Sequence, residues 1–520
     1  MRIKPLFVAV SAALAAATHV PASATDWLQF GYDTAHSSFN REERGYSTAG
    51  NTSAFNAVAL STPADSTPAF LGNVATPSGT KDLLFIVSLN GTLLAVDASN
   101  GSQVWAKQPA TSTHITTGSP AIDPSLAFVY AYGMDGKVHK YQVGDGTEIM
   151  TGGWPEVSTL KPNVEKGASG LSFATANNST TYLYSVVDGY VGDGGDYQGH
   201  LTAIDLASGS QKVFNSLCSG LTIHFVENGK TTQPNQTDCA AKRNGVWGRP
   251  GAVYDAGTDR VFITTGNGPY DVGAFSWGDS VLALNPDGSG AGAGMPVDSY
   301  TPTTFANLQA TDADLGSESI AIVPSPPGTA AAYQHIAVQA GKDGCVRLLN
   351  LADLSGVGAP GHTGGELDAQ NLPGGSHCAT GSDGPEIKPQ PAVWVNPADS
   401  ASWIYVTSYG NGSAAYKIAL DGSGKPSLSQ QWTTTSGTSP AVANGIVYIV
   451  STNSIRALDA ITGSLIWSDN AIRVIKWQSP IIANGRLYVV DWSNASNSDS
   501  PTSSSLWVYK LDGAFKSGFE

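Results

Sequence analysis

The sequence predicts an all-β fold, a single eight-bladed β-propeller of four-stranded antiparallel blades with long insertion loops. Three observations point there. A short hairpin unit recurs, most clearly at 455–467 (IRALDAITGSLIW), 93–105 (LLAVDASNGSQVW) and 201–214 (LTAIDLASGSQKVF). A strand opening recurs eight times, six of them as a Pro step before a short apolar stretch. The spacing between openings swells in the middle of the chain, where the added residues are rich in Gly, Pro, Asn and Asp.

Each hairpin has period-two apolar residues on either side of a turn of Asp, Asn, Ser and Gly. The Asp can bond the backbone of its own turn, and the Gly takes the left-handed position. The closing aromatic, Trp467 or Trp105, is expected to pack between neighbouring sheets. Degenerate copies lie at 281–290, 416–424 and 506–513. A unit this small cannot bury its apolar face alone, so recurrence predicts radially arranged blades.

The Pro-marked openings are at Pro68, Pro120, Pro250, Pro391, Pro440 and Pro480, and two without Pro are at 168–173 and 316–322. Residues 27–39 are expected to supply a strand and turn completing the last blade. The insertions fall near 190–245, 270–311 and 353–389. Long loops on a rigid scaffold commonly form cavity walls or subunit contacts. Their clustering on three consecutive blades predicts a cavity covered from one side.

Residues 1–24 read as a secretory signal: Arg2 and Lys4, an apolar run over 6–17, and an A-x-A site at Ala22-Ser23-Ala24. The run is too short to span a bilayer as a helix, and no later stretch is long enough. The expectation is an exported protein, periplasmic or extracellular, with 25–520 forming the propeller. Charged residues are 13 % of the chain, with a formal net charge of −15, which argues against nucleic acid or an anionic membrane as partner. Such a weakly charged acidic surface suits strong acid, and it equally suits an ordinary Gly-rich exported β protein.

Four cysteines in an exported chain favour disulfides. Three connectivities are open, and local closure suggests Cys218–Cys239 and Cys345–Cys378. There is no CxxC or CxxCH, so neither a thioredoxin-like centre nor a covalently attached haem is expected.

No serine-hydrolase elbow, phosphate loop or HExxH motif is present. The segments with candidate chemistry are 246–249 (VWGR), 264–269 (TTGNGP), 311–319 (TDADLGSES) and 340–345 (AGKDGC). With the repeat and the eight-blade layout, these segments resemble the quinoprotein (pyrroloquinoline quinone, PQQ) dehydrogenase propellers, whose PQQ-like repeats cover nearly the whole chain. The resemblance implies Trp247 as the floor of a quinone site, Asn267 as a Ca²⁺ ligand, Asp314 as a base and Lys342 as a contact to quinone oxygens. Two family features are missing. There are no adjacent cysteines, and the Glu ligand before 199–205 has only Asp193 and Asp196 as approximate stand-ins.

In architecture, composition and loop placement the whole chain is similar to the tetrathionate hydrolases of acidophilic sulfur oxidisers, which keep the PQQ-type repeat without a quinone; Ca²⁺ at Asn267 stays open without one. That likeness implies a hydrolase with an Asp as general acid, a small inorganic anion as substrate, no cofactor, and a homodimer through the insertion loops. Tetrathionate is a dianion, so its cleavage needs cations for the sulfonates and a proton donor for the departing sulfur. A carboxylic acid donates only while protonated, which means acidic pH or a raised pKa. Asp314 and Asp343 are the two candidate acids; Asp343 reads equally as the turn Asp of a Lys-Asp-Gly hairpin. Lys342, Arg249 and Arg243 are candidate sulfonate binders, Trp247 and Asn267 candidate cavity residues, Asp312 a candidate support for Asp314, and His114 a candidate for the channel. The competing expectations are a PQQ- and Ca²⁺-dependent alcohol or polyol dehydrogenase and a non-catalytic scaffold.

Overall fold

The computed structural model describes residues 26–43, 53–190, 192–221, 239–492 and 501–511. The leader at 1–24 and part of the insertion near 190–245 lie outside them. Eight four-stranded antiparallel sheets form a propeller ring, with one seven-residue α-helix, Phe305–Thr311, in the described residues. Each opening starts the innermost strand of a blade: Ala69–Thr76, Ala121–Ile122, Ser172–Thr175, Val253–Asp255, Ala321–Pro324, Ala392–Val395, Ala441–Ala443 and Ile481–Ala483. These are blades 1 to 8.

The recurrent hairpin joins the third and fourth strands. In blade 7 it links Ser454–Asp459 to Leu465–Asp469. The Asp459 carboxylate accepts from the backbone N–H of Ile461 at 3.1 Å and of Thr462 at 2.9 Å, and Gly463 takes φ +69°. A Cβ on Gly463 would come within 2.7 Å of the Trp432 ring of blade 6. The same indole donates to the Ala460 carbonyl at 3.2 Å. Between blades 1 and 2, Trp105 repeats this seam, donating to the Val143 carbonyl at 3.0 Å with its ring against the Gly146 position. The repeat is thus an inter-blade joint, in which an outer-strand Trp of one sheet docks on the turn of the next.

Residues 27–39 do not complete the last blade. Its fourth strand is Ser53–Ala59, paired antiparallel with Ser504–Lys510, so chain start and chain end close the ring together. Residues 27–40 instead run beneath the ring as a strap and meet the innermost strand of every blade in order. Trp27 exchanges backbone bonds with Phe70; Ile122 donates to the Leu28 carbonyl at 2.8 Å; Phe173 donates to the Gln29 side chain at 2.9 Å. Tyr254, Ile322, Val393 and Val442 donate to the carbonyls of Thr34, Ala35, Ser37 and Ser38, and Asn40 reaches the Ile482 carbonyl at 2.7 Å. The inner edge of a blade leaves backbone N–H groups that a buried axis cannot leave unpaired. The strap supplies their acceptors. A sequence pattern shows an apolar stretch here but not the symmetry it satisfies.

Cys218–Cys239 and Cys345–Cys378 are disulfide-bonded, as local closure suggested. No helix among the described residues is long and apolar enough to cross a membrane.

Candidate functional site

Residues two to four positions after each blade's opening face the strap, so residues just before it face the opposite end of the axis. There they line a cavity of about 280 Å³. Trp247, Arg249, Asn267, Asp312, Asp314 and Lys342 all stand in its wall.

Asp314 lies just before the blade 5 opening and is 4 % exposed. Its Oδ1 accepts from the backbone N–H of Asn267 at 2.5 Å, and Lys342 Nζ forms an ion pair with its other oxygen. Burial raises the Asp314 carboxyl above the ordinary carboxylate range, while Lys342 and the Asn267 N–H pull it back. A Cβ on Gly266 would reach Asp314 Oδ1 at 2.7 Å, so the Thr-Gly-Asn segment can pass this close only with Gly there. Asp312 caps the short helix Phe305–Thr311 in the left-handed conformation, φ +57°. Its Oδ1 accepts from the Asn267 amide at 2.8 Å, and Lys342 Nζ donates to its carbonyl at 3.1 Å. Asn267 and Lys342 therefore hold Asp314 directly, and Asp312 positions both of them.

The insertions build this wall. The 353–389 loop clamps the turn that carries Lys342: Gly384 donates to the Lys342 carbonyl at 3.1 Å, Leu372 to Gly344 at 2.9 Å, and Cys378 is bonded to Cys345. The 270–311 insertion ends in the Asp312 helix, and 190–245 contributes Tyr190, Asp193 and Tyr197.

The remaining candidates divide. Trp247 faces Lys342, whose Nζ is 5.4 Å from the ring centroid. Arg249 stands in the wall, but its guanidinium is taken up by the Asp65 carboxylate at 2.7 Å and the carbonyls of Asp65 and Thr117. Asp343 lies outside the cavity lining, 1 % exposed and paired with Arg347. Arg243 lies outside it too, 4.0 Å from Asp193. His114 stacks on Tyr190 at 4.3 Å, behind the wall.

Sequence reading missed Asp65, Lys166, Asp188, Lys388, Lys476 and Trp477, all of which line the cavity. Asp188 ends the second strand of blade 3 opposite Lys166, and burial pushes its carboxyl up to about 7. A signal for most of them was present. Asp65, Lys166, Lys388 and Trp477 sit two to four residues before an opening, the same register in which Trp247 and Asp314 stand.

The family described as outer membrane protein assembly factor BamB matches residues 63–231 and 362–518. No curated protein matches the chain. Among solved structures it is similar to the europium-containing methanol dehydrogenase, with TM-score 0.62, 14 % identity, and coverage of 93 % of this chain and 98 % of that one. It is similar also to the quinohemoprotein alcohol dehydrogenase ADHIIG of Pseudomonas putida HK5, with TM-score 0.60, 15 % identity, and coverage of 94 % and 81 %. The quinohemoprotein alcohol dehydrogenase of Comamonas testosteroni gives TM-score 0.59 at 15 % identity over 96 % and 82 %. At such identities the likeness shows the shared propeller fold.

Proposed function

The chain belongs to the PQQ-like repeat family described as outer membrane protein assembly factor BamB, and on that propeller we propose an exported hydrolase that cleaves tetrathionate at its S–S bonds in acid. The observation that supports this reading is Asp314, a buried carboxyl at the wall of a cavity that also presents lysines and indoles.

In acid, protonated Asp314 is the proton donor, and its protonation also releases Lys342 from the ion pair. One proton arms the acid and leaves Lys342, with the Asp312 carboxylate at 3.4 Å as its remaining ion-pair partner, to take a sulfonate. Water oxygen bonds to a terminal sulfonate sulfur, the adjacent S–S bond breaks, and the departing chain takes the Asp314 proton. That chain then sheds elemental sulfur and a proton to leave thiosulfate, while the attacked end leaves as sulfate and Asp314 regains a proton from the spent water. Tetrathionate and water thus give thiosulfate, sulfur, sulfate and two protons. The enzyme would work in the periplasm or outside the cell, as a dimer through its insertion loops.

The alternative is an alcohol dehydrogenase using PQQ and Ca²⁺, as the names of the structural neighbours suggest. The residues do not fit that pair. All four cysteines are committed to two well-separated disulfides, which leaves no adjacent-cysteine pair for a quinone. Among the described residues no three His, Cys, Asp or Glu side chains converge as metal ligands, and the carboxylate of Asp314 is shared by Lys342 and the Asn267 N–H.

The test is thiosulfate release from tetrathionate by the purified mature protein, without added cofactor. Release in acid that is absent at neutrality is expected. No release at either pH, with dye reduction on adding PQQ, Ca²⁺ and an alcohol, would transfer the site to the alternative.

A further inference from the structure

The two ends of the cavity differ in charge. Around Asp314 stand Asp312 and Asp188, with two ammonium groups, Lys342 on Asp314 and Lys166 opposite Asp188. At the blade 8 end the indole of Trp477 is surrounded by cations: Lys388 Nζ lies 5.2 Å, the Arg249 guanidinium 5.4 Å and Lys476 Nζ 5.7 Å from its ring. Asp65 pairs with Arg249 and also acts on Lys476, and Glu386 pairs with Lys388 at 2.6 Å. Lys476 also lies over Trp492, 4.7 Å from that ring.

The indole N–H of Trp477 is buried and has no hydrogen-bond partner. A buried donor left unmade is unfavourable unless a ligand completes it, and an indole with cations about its ring and an unmade N–H at its edge is complementary to an oxyanion rather than to a cationic group. Trp247 bridges the two ends, its ring 6.0 Å from Trp477 and facing Lys342 on the other side.

We propose that Trp477, Lys388 and Lys476 form a second oxyanion subsite, which holds the non-reacting sulfonate of the substrate while the reacting end lies against Asp314. The oxyanion specificity stands on this wall alone, and its assignment to a substrate sulfonate rests on the polythionate reading. A substrate with an anionic group at both ends is then selected over a monoanion, because each end of the cavity addresses one group.

The probes are inorganic sulfate and tetrathionate, titrated calorimetrically in acid into the full mature protein and its variants. Trp477→Phe keeps an aromatic ring and removes the N–H; Lys388→Met and Lys476→Met remove charge. Each is expected to weaken sulfate binding about tenfold, equivalent to ~1.4 kcal/mol, and to raise the KM for tetrathionate with kcat nearly unchanged. Asp314→Asn is expected to lower turnover ~10²–10⁴-fold and leave sulfate affinity intact. Sulfate should compete with tetrathionate in the parent protein. Unchanged sulfate affinity in folded Trp477→Phe and Lys388→Met would overturn the subsite. Sulfate binding that depends on these residues, in a protein that releases no thiosulfate, would uphold the subsite and remove the polythionate reading. Sulfate binding without competition would overturn the assignment to the substrate sulfonate.

Discussion

The backbone N–H of Asn267, in blade 4, donates at 2.5 Å to the carboxylate of Asp314, which leads into blade 5. The acid is therefore held by a rigid peptide group from a neighbouring sheet, and a side-chain change at Asp314 leaves that peptide in place.

Asp314→Asn should lower kcat for thiosulfate release by ~10²–10⁴-fold with the melting temperature preserved in acid, where Asp314 is already protonated, since the amide keeps the acceptor for Asn267 and Lys342 keeps Asp312. Asp343→Asn should behave in the opposite way. It leaves Arg347 as a buried cation without its carboxylate partner, a loss of about 3–5 kcal/mol in stability. Denaturation midpoints and turnover per folded molecule separate the two.

Asp188 gives a signed pH dependence. Burial raises its carboxyl to about 7 from 3.8, with Lys166 opposing and Asp314 and Asp193 adding to the rise. The folded state holds this proton where the unfolded chain has released it. The contribution to stability is therefore complete below about pH 4 and is lost as pH rises to about 7. Asp188→Asn should flatten the fall in melting temperature between those values, measured by circular dichroism across the range.

His36 in the strap has the reverse sign. It is fully buried, its Nε2 donates to the Ala252 carbonyl at 3.0 Å, and burial lowers its pKa to about 4 from 6.5. The unfolded chain binds the proton first, so stability falls as pH drops from about 6.5 to 4. His36 sits at φ +53°, which Asn also tolerates. His36→Asn should remove this component of acid sensitivity, seen as a melting temperature that falls less from pH 6.5 to 4 than in the parent.

Gly463→Ala should destabilise the protein by about 1–3 kcal/mol, because the new methyl meets the Trp432 ring in a backbone position unfavourable to a side chain. Turnover per folded molecule should be unchanged, since this seam lies away from the cavity. Urea midpoints and specific activity check both halves.

The sequence by itself determined the propeller, its eight openings and the turn chemistry of the repeat, and its short closures suggested the two disulfides that the structure shows. Each depends on neighbours a few residues apart or on short closures: Asp459 bonds its own turn, Gly463 takes a left-handed φ, and Cys345 meets Cys378 across one loop. Tertiary structure decided what meets at the axis. Ser53–Ala59 rather than 27–39 closes blade 8, since only the assembled ring shows which strand edge is unpaired and which seven N–H groups and one carbonyl await the strap. It likewise separated Asp314, at the entry to an inner strand, from Asp343, in a Lys-Asp-Gly turn, by sending one into the cavity and the other to Arg347. Trp477, Lys388, Lys166 and Asp65 come from four different blades and converge only because each blade directs the same register inward. Ring closure makes that convergence, and no local pattern in the chain encodes it.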